Sequence, residues 1–168
     1  LTLSLDGATE ATHDGIRGEG SYRDVMRAAA LCLARGLPFG LQMAVHARNE
    51  AELDAFGLLA AELGAKHVSF AMTQPTGTPH DATLFLSAGK WRQVQARIER
   101  LASVLKTPVI MAEGFWEESY LPSCAPYRSE TLHVDVEGRL TLCCLHSDLP
   151  GKDSNAGVAA RIEDGGLV

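Results

Sequence analysis

Short strand-like segments that alternate strictly between apolar and small or polar residues restrict this chain more than any other feature. In LTLSLD, Leu1, Leu3 and Leu5 face one way and Thr2, Ser4 and Asp6 the other. LQMAVH repeats the pattern, with Leu41, Met43 and Val45 against Gln42, Ala44 and His46. HVSFAM repeats it again, with Val68, Phe70 and Met72 against His67, Ser69 and Ala71. A parallel sheet covered by helices on both faces reads as continuous apolar runs. This alternation instead predicts a sheet whose apolar face meets helices and whose other face lines a polar interior, as in a barrel or part of one.

The segments between these strands carry helical periodicity. Tyr22, Val25, Met26, Ala29, Cys32 and Leu33 share one face of a first helix, with Ser21 as its cap, Asp24 three residues later and Gly36 as its stop. A second helix is expected after Asn49, with Glu52 completing a capping box, Leu53, Phe56, Ala60 and Leu63 inward, and a stop at Gly64. A third runs from Ser87 with Trp91, Val94, Ile98, Leu101 and Leu105 aligned, and ends before Pro108. PVIMA at 108–112 supplies a fourth strand. Strands joined by helical crossovers imply right-handed parallel βαβ units. In such units ligands bind at the C-terminal strand ends, here Asp6-Gly7, His46 to Asn49, and Met72 to Gln74.

Beyond residue 115 the chain becomes irregular, then TLHVDVEGRLTLCC reads as a hairpin turning at Glu137-Gly138, with strands at 131–136 and 139–144. EDGGLV closes the sequence without a recognisable element. A hairpin alone is not stable in water, so this one needs docking or a metal. Cys32 sits on the apolar face of the first helix and reads as a core thiol. The remaining cysteines, Cys124, Cys143 and Cys144, fall in the appendage. Thirteen residues lie between Cys124 and Gly138 and four between Gly138 and Cys143, so a hairpin would bring its far end back toward its entrance. Converging thiolates suit zinc or an iron–sulfur cluster, with His146 as a further candidate ligand.

The formal charge of −6, with no cluster of Lys or Arg, speaks against a nucleic-acid or anionic-membrane surface. No stretch approaches the roughly 20 apolar residues of a bilayer span. A cytoplasmic setting is expected.

In order along the chain, SLDG at 4–7, HDGIRG at 13–18 with a capped helix from GSYRDV, ARNEAEL at 47–53 and GAKHVSF at 64–70 resemble the radical S-adenosylmethionine enzymes that carry a C-terminal SPASM or twitch domain. Cys124, Gly138 and Cys143 are similar to the entry of that domain. The resemblance implies the C-terminal half of a partial six-stranded (βα) TIM-like barrel over residues 1–114, with HDGIRG in a loop. The start of an auxiliary iron–sulfur domain would occupy residues 115–168. It implies S-adenosylmethionine and a [4Fe-4S] cluster as cofactors, with an auxiliary cluster on Cys124, Cys143 and Cys144. The substrate would be a peptide, a protein side chain or a small cofactor precursor, and a flavodoxin or ferredoxin would be the reductant. Carried over by position, Ser4, Asp6, Gln42 and Asn49 lie on the cofactor side, Met72 near the adenine, Arg17 at the carboxylate, and Glu113 stands as a catalytic base.

The CxxxCxxC motif of the radical cluster is not in this sequence and is expected upstream of Leu1, so the chain by itself is expected to be inert. The strand edge exposed by that division is expected to promote self-association. The competing reading is a non-catalytic binding module with structural zinc on Cys124, Cys143 and Cys144. A weaker one is a small-molecule-binding βα domain with incidental cysteines.

Overall fold

The computed structural model describes residues 1–73, 82–112, 133–134, 138–141, 158–163 and 166–167. Its first compact unit comprises Leu1–Thr73 and Thr83–Phe115. Strands β1 (Thr2–Ser4), β2 (Gly40–Val45), β3 (Val68–Met72) and β4 (Val109–Met111) form a parallel sheet in the order β1-β2-β3-β4. Helix α1 (Glu10–Arg17) follows β1, and α2 (Ser21–Ala34), α3 (Leu53–Glu62) and α4 (Ala88–Val104) make the crossovers. This is the α/β architecture of a partial TIM-like barrel.

Register fixes which residues share a face. Leu3, Leu41, Val68 and Val109 are Cα partners across the sheet, as are Ser4, Gln42, Ser69 and Ile110. On the apolar side, Leu41, Met43, Val45, Val68 and Phe70 are wholly buried against Ala29 and Cys32 of α2, Phe56 and Ala60 of α3, and Trp91, Val94, Ile98 and Leu101 of α4. Phe56 and Phe70 meet edge to face at 5.7 Å between ring centres, each burial contributing about 2 kcal/mol. Gly57 lets α3 approach α4, since a Cβ there would lie 2.5 Å from Leu101 Cδ2. On the other side Ser4 is exposed, Gln42 and Ala44 are half-buried, and Ser69 is buried. The alternation thus separates a helix-covered face from a polar one.

Three local expectations change. HDGIRG is not loop but most of α1, a helix too short, and interrupted by Gly15, for periodicity to reveal. Helix α2 begins at Ser21 but is not capped by it: its N-cap is Gly20, and the capping carboxylate comes from Asp14 of α1, which accepts from Gly20 N at 2.7 Å and Tyr22 N at 2.8 Å. The Asn49/Glu52 capping box does not form either. The chain passes through a 3₁₀ turn at Glu50–Glu52 into α3, and both side chains are engaged elsewhere. Ser87 does cap α4, accepting from Lys90 N.

The second unit comprises Gln74–Ala82 and Trp116–Val168. Strands β5 (His133–Val134) and β6 (Arg139–Thr141) pair antiparallel, with Gly138 at φ +74° leading into β6. The antiparallel pairing expected of the hairpin is present between these two strands, and the rest of the expected 131–136 and 139–144 segments lies outside the described residues. Strands β7 (Val158–Glu163) and β8 (Gly166–Leu167) extend the sheet to the order β5-β6-β7-β8. The C-terminal stretch therefore has structure where no element was expected, although VAARIE does carry a two-residue alternation, Val158, Ala160 and Ile162 against Ala159, Arg161 and Glu163.

Candidate functional site

The C-terminal ends of β1 and β2 converge on Asp6, two residues beyond Ser4 on the polar side. Asp6 is 3% exposed, and each of its polar groups has a partner. Its Oδ1 accepts the Ala44 N–H at 2.9 Å, so a side chain extends the β1/β2 ladder where the strands part. Its Oδ2 lies 2.5 Å from Arg17 Nε. Its backbone N–H donates to His13 Nδ1 at 2.8 Å, and its carbonyl accepts Asn49 Nδ2 at 3.0 Å.

Asn49 closes the same junction from the β2 side. Fully buried, it donates also to the Ala44 carbonyl at 2.9 Å, and its Oδ1 accepts the His46 N–H at 2.9 Å. Both amide hydrogens and the amide oxygen are therefore committed to backbone. Glu52, one helical turn on, fastens the β1–α1 turn: its carboxylate accepts the Ala8 N–H at 2.6 Å and the hydroxyls of Thr12 and Thr9. Thr9 in turn caps α1 by accepting Thr12 N. Gly7 is the hinge of this turn, because a Cβ there would lie 2.7 Å from His13 N and 2.8 Å from Thr12 Cβ.

Two buried histidines flank Asp6. Burial holds His13 below the ordinary imidazole value, opposed by the charge of Asp6, and its ring packs edge-on against Tyr22 at 6.1 Å. His46 is also lowered, first by burial, again opposed by Asp6; its Nδ1 accepts the Arg48 N–H at 3.1 Å. Asp14 is held below the usual carboxylate range chiefly by the Tyr22 N–H.

Arg17 differs from this closed network. Its side chain is 46% exposed, and with Nε on Asp6 its terminal nitrogens have no hydrogen-bond partner among the described residues. Asp6 thus fixes the plane of a guanidinium whose outer edge can take a carboxylate or phosphate in bidentate fashion. Met72 is half-buried at the end of β3, opposite Val45 in register.

The chain is 28% identical over 159 residues to a PqqA peptide cyclase of Methylorubrum extorquens, covering 90% of this chain and 41% of that protein. It is 35% identical over 96 residues to the mycofactocin maturase MftC of Mycobacterium tuberculosis, covering 56% of this chain and 24% of that protein. Both relatives are radical S-adenosylmethionine enzymes, the family that the sequence motifs resemble. It spans about a quarter to two fifths of the length of these curated relatives. No family model matches it. Among solved structures, SuiB of Streptococcus suis superposes with a TM-score of 0.68 at 12% identity, covering 92% of this chain and 40% of that one, a likeness of fold.

Of the residues the sequence singled out, Asp6, Arg17 and Asn49 are brought together at one junction, and Ser4 and Gln42 are neighbours in register. Glu113, Cys124, Cys143, Cys144 and His146 lie outside the described residues. Among the described residues no cluster of His, Cys, Asp or Glu is arranged to hold a metal, and no helix is long and apolar enough to cross a membrane. Sequence reasoning singled out neither His13 nor Asp14, and it gave Glu52 the wrong partner. The signal for Asp14 was an acid six residues ahead of Gly20 in DGIRGEGSY, where a helix opening after glycine needs a cap from outside.

Proposed function

We propose that this chain is part of a radical S-adenosylmethionine maturase acting on a peptide or protein side chain, or on a small cofactor precursor. The observation that carries the proposal is the match to a PqqA peptide cyclase over most of the chain, on a sheet whose Ser4-Gln42-Ser69 row is polar. With an electron from a reduced [4Fe-4S] cluster, S-adenosylmethionine would supply the radical chemistry for removing a hydrogen atom from the substrate.

The residues present fit that cofactor in a divided way. Arg17, oriented by Asp6, offers its outer guanidinium edge, half exposed, to the cofactor's carboxylate. Ser4 offers a hydroxyl and Gln42 an amide on the polar face, and Met72 an apolar wall for the adenine. Asp6 and Asn49 support these groups from behind, since their own hydrogen bonds go to Ala44, Arg17, His46 and each other. Glu113 as the base that removes a substrate proton, and Cys124, Cys143 and Cys144 as ligands of an auxiliary cluster, complete the proposal, with a flavodoxin or ferredoxin as electron donor.

The test uses the full-length protein that carries this chain, reconstituted anaerobically with iron and sulfide and reduced with dithionite. Release of 5′-deoxyadenosine from S-adenosylmethionine is expected, and Arg17→Ala should raise KM for the cofactor more than it lowers kcat. Cluster-loaded protein that releases none overturns the reading.

A further inference from the structure

His13 is 1% exposed and belongs to none of the groups assigned above to the cofactor. Its Nδ1 accepts the Asp6 N–H at 2.8 Å, so the single proton of the neutral ring lies on Nε2, a tautomer assigned from the hydrogen-bond network. We propose that His13 is a protonation-sensitive latch: the neutral ring holds the Asp6 backbone, and a second ring proton releases the Asp6–Arg17 pair.

The geometry dictates the direction. A proton added at Nδ1 would point at the Asp6 N–H across the same 2.8 Å, replacing donor-to-acceptor attraction with two opposed donors. Among the described residues the partner of that amide is His13 Nδ1, and the β1–α1 turn that carries it is held close, Gly7 approaching His13 N and Thr12 too tightly for a Cβ. Moving the Asp6 amide moves its side chain as well, and with it the Ala44 rung and the Arg17 contact. Protonation inside the ring pocket therefore reaches the half-exposed guanidinium through a single residue.

The charges around the ring set where this happens. Asp6 at the end of β1 and Asp14 on α1 favour the protonated ring, Arg17 on α1 opposes it, and Tyr22 of α2 packs against it edge-on. Burial outweighs the two carboxylates and lowers the pKa, so the latch is closed near neutrality and opens on the acid side of the ordinary value of 6.5. The inference rests on these contacts and not on the cofactor reading.

The 168-residue chain, isotopically labelled, provides the test by nuclear magnetic resonance between about pH 8 and about pH 5. At the upper end His13 should show the Nε2–H tautomer and the Asp6 amide should be strongly protected from exchange. As the pH falls, Asp6 protection should drop by about tenfold per unit through the window between the ordinary and the lowered His13 values, with the Arg17 Nε–H signal lost in parallel. His13→Asn keeps an acceptor near the Nδ1 position but cannot titrate, so it should retain Asp6 protection and abolish its pH dependence while His46 still titrates. His13 titrating with no change at Asp6 or Arg17, or His13→Asn keeping the wild-type pH dependence, would overturn the latch. Should His13→Asn fail to fold, the wild-type titration alone decides.

Discussion

Arg17 Nε and Asp6 Oδ2 lie 2.5 Å apart, and the pair is asymmetric: the carboxylate is buried and has a second partner in Ala44, whereas the guanidinium is half in solvent. Removing either partner therefore has different consequences. Asp6→Asn places an amide NH₂ against either Arg17 or the Ala44 N–H and should cost about 1–3 kcal/mol. Arg17→Ala, at a half-exposed position, should cost about 1 kcal/mol or less. Urea denaturation of the single and double variants should show non-additivity, because the two changes remove one shared contact.

Asn49 provides a sharper test of the strand junction. Both of its amide hydrogens point at carbonyl oxygens, those of Asp6 and Ala44. Asn49→Asp would set a carboxylate against two carbonyls in a buried site. It should destabilise more than Asn49→Ala, for which about 1–3 kcal/mol is expected. An equal or smaller loss for the Asp variant in the same denaturation series would contradict the hydrogen-bond assignment.

The two buried histidines make stability depend on pH with a definite sign. His13 and His46 are both lowered from 6.5 in the folded chain, so between the lowered values and 6.5 the unfolded chain binds more protons. Their contribution to stability is complete above the ordinary value and declines as pH falls through that window. Each group adds a slope of at most about 1.4 kcal/mol per pH unit. Melting temperature recorded against pH should fall on the acid side, and His13→Asn should make that fall shallower. A profile flat through the window would refute the lowered values.

The sheet and its three crossover helices were legible in the sequence because they follow from one-sided burial. Leu41, Met43 and Val45 state their partners by period, as do Trp91, Val94, Ile98 and Leu101. The junction was legible only in part. SLDG identified Asp6 as a polar group at a strand end, but a two-residue period says nothing about whether a carboxylate faces a ligand or completes a ladder. Asn49 and Glu52 match a capping box in sequence, yet their side chains bond to Asp6, Ala44, His46, Ala8 and Thr12, since tertiary partners outcompete a local cap. His13 was invisible for the same reason: its acceptor role depends on α1 folding back onto Gly7.

That packing yields the most local prediction. Gly7 does not have the positive φ that would call for glycine on conformational grounds; what demands it is the first turn of α1, whose His13 N and Thr12 Cβ would lie 2.7 Å and 2.8 Å from any Cβ. Because His13 N is backbone, relief requires moving the helix rather than rotating a side chain. Gly7→Ala should therefore cost about 1–3 kcal/mol, the range for overpacking a tight contact. It should also lengthen the His13–Asp6 bond, seen as weaker protection of the Asp6 amide. Gly15→Ala is the matched control, because among the described residues a Cβ at Gly15 meets nothing within 4 Å. In the middle of a helix that change should be neutral or stabilising by up to about 1 kcal/mol. A loss of similar size for both substitutions would mean that α1 does not sit on Gly7.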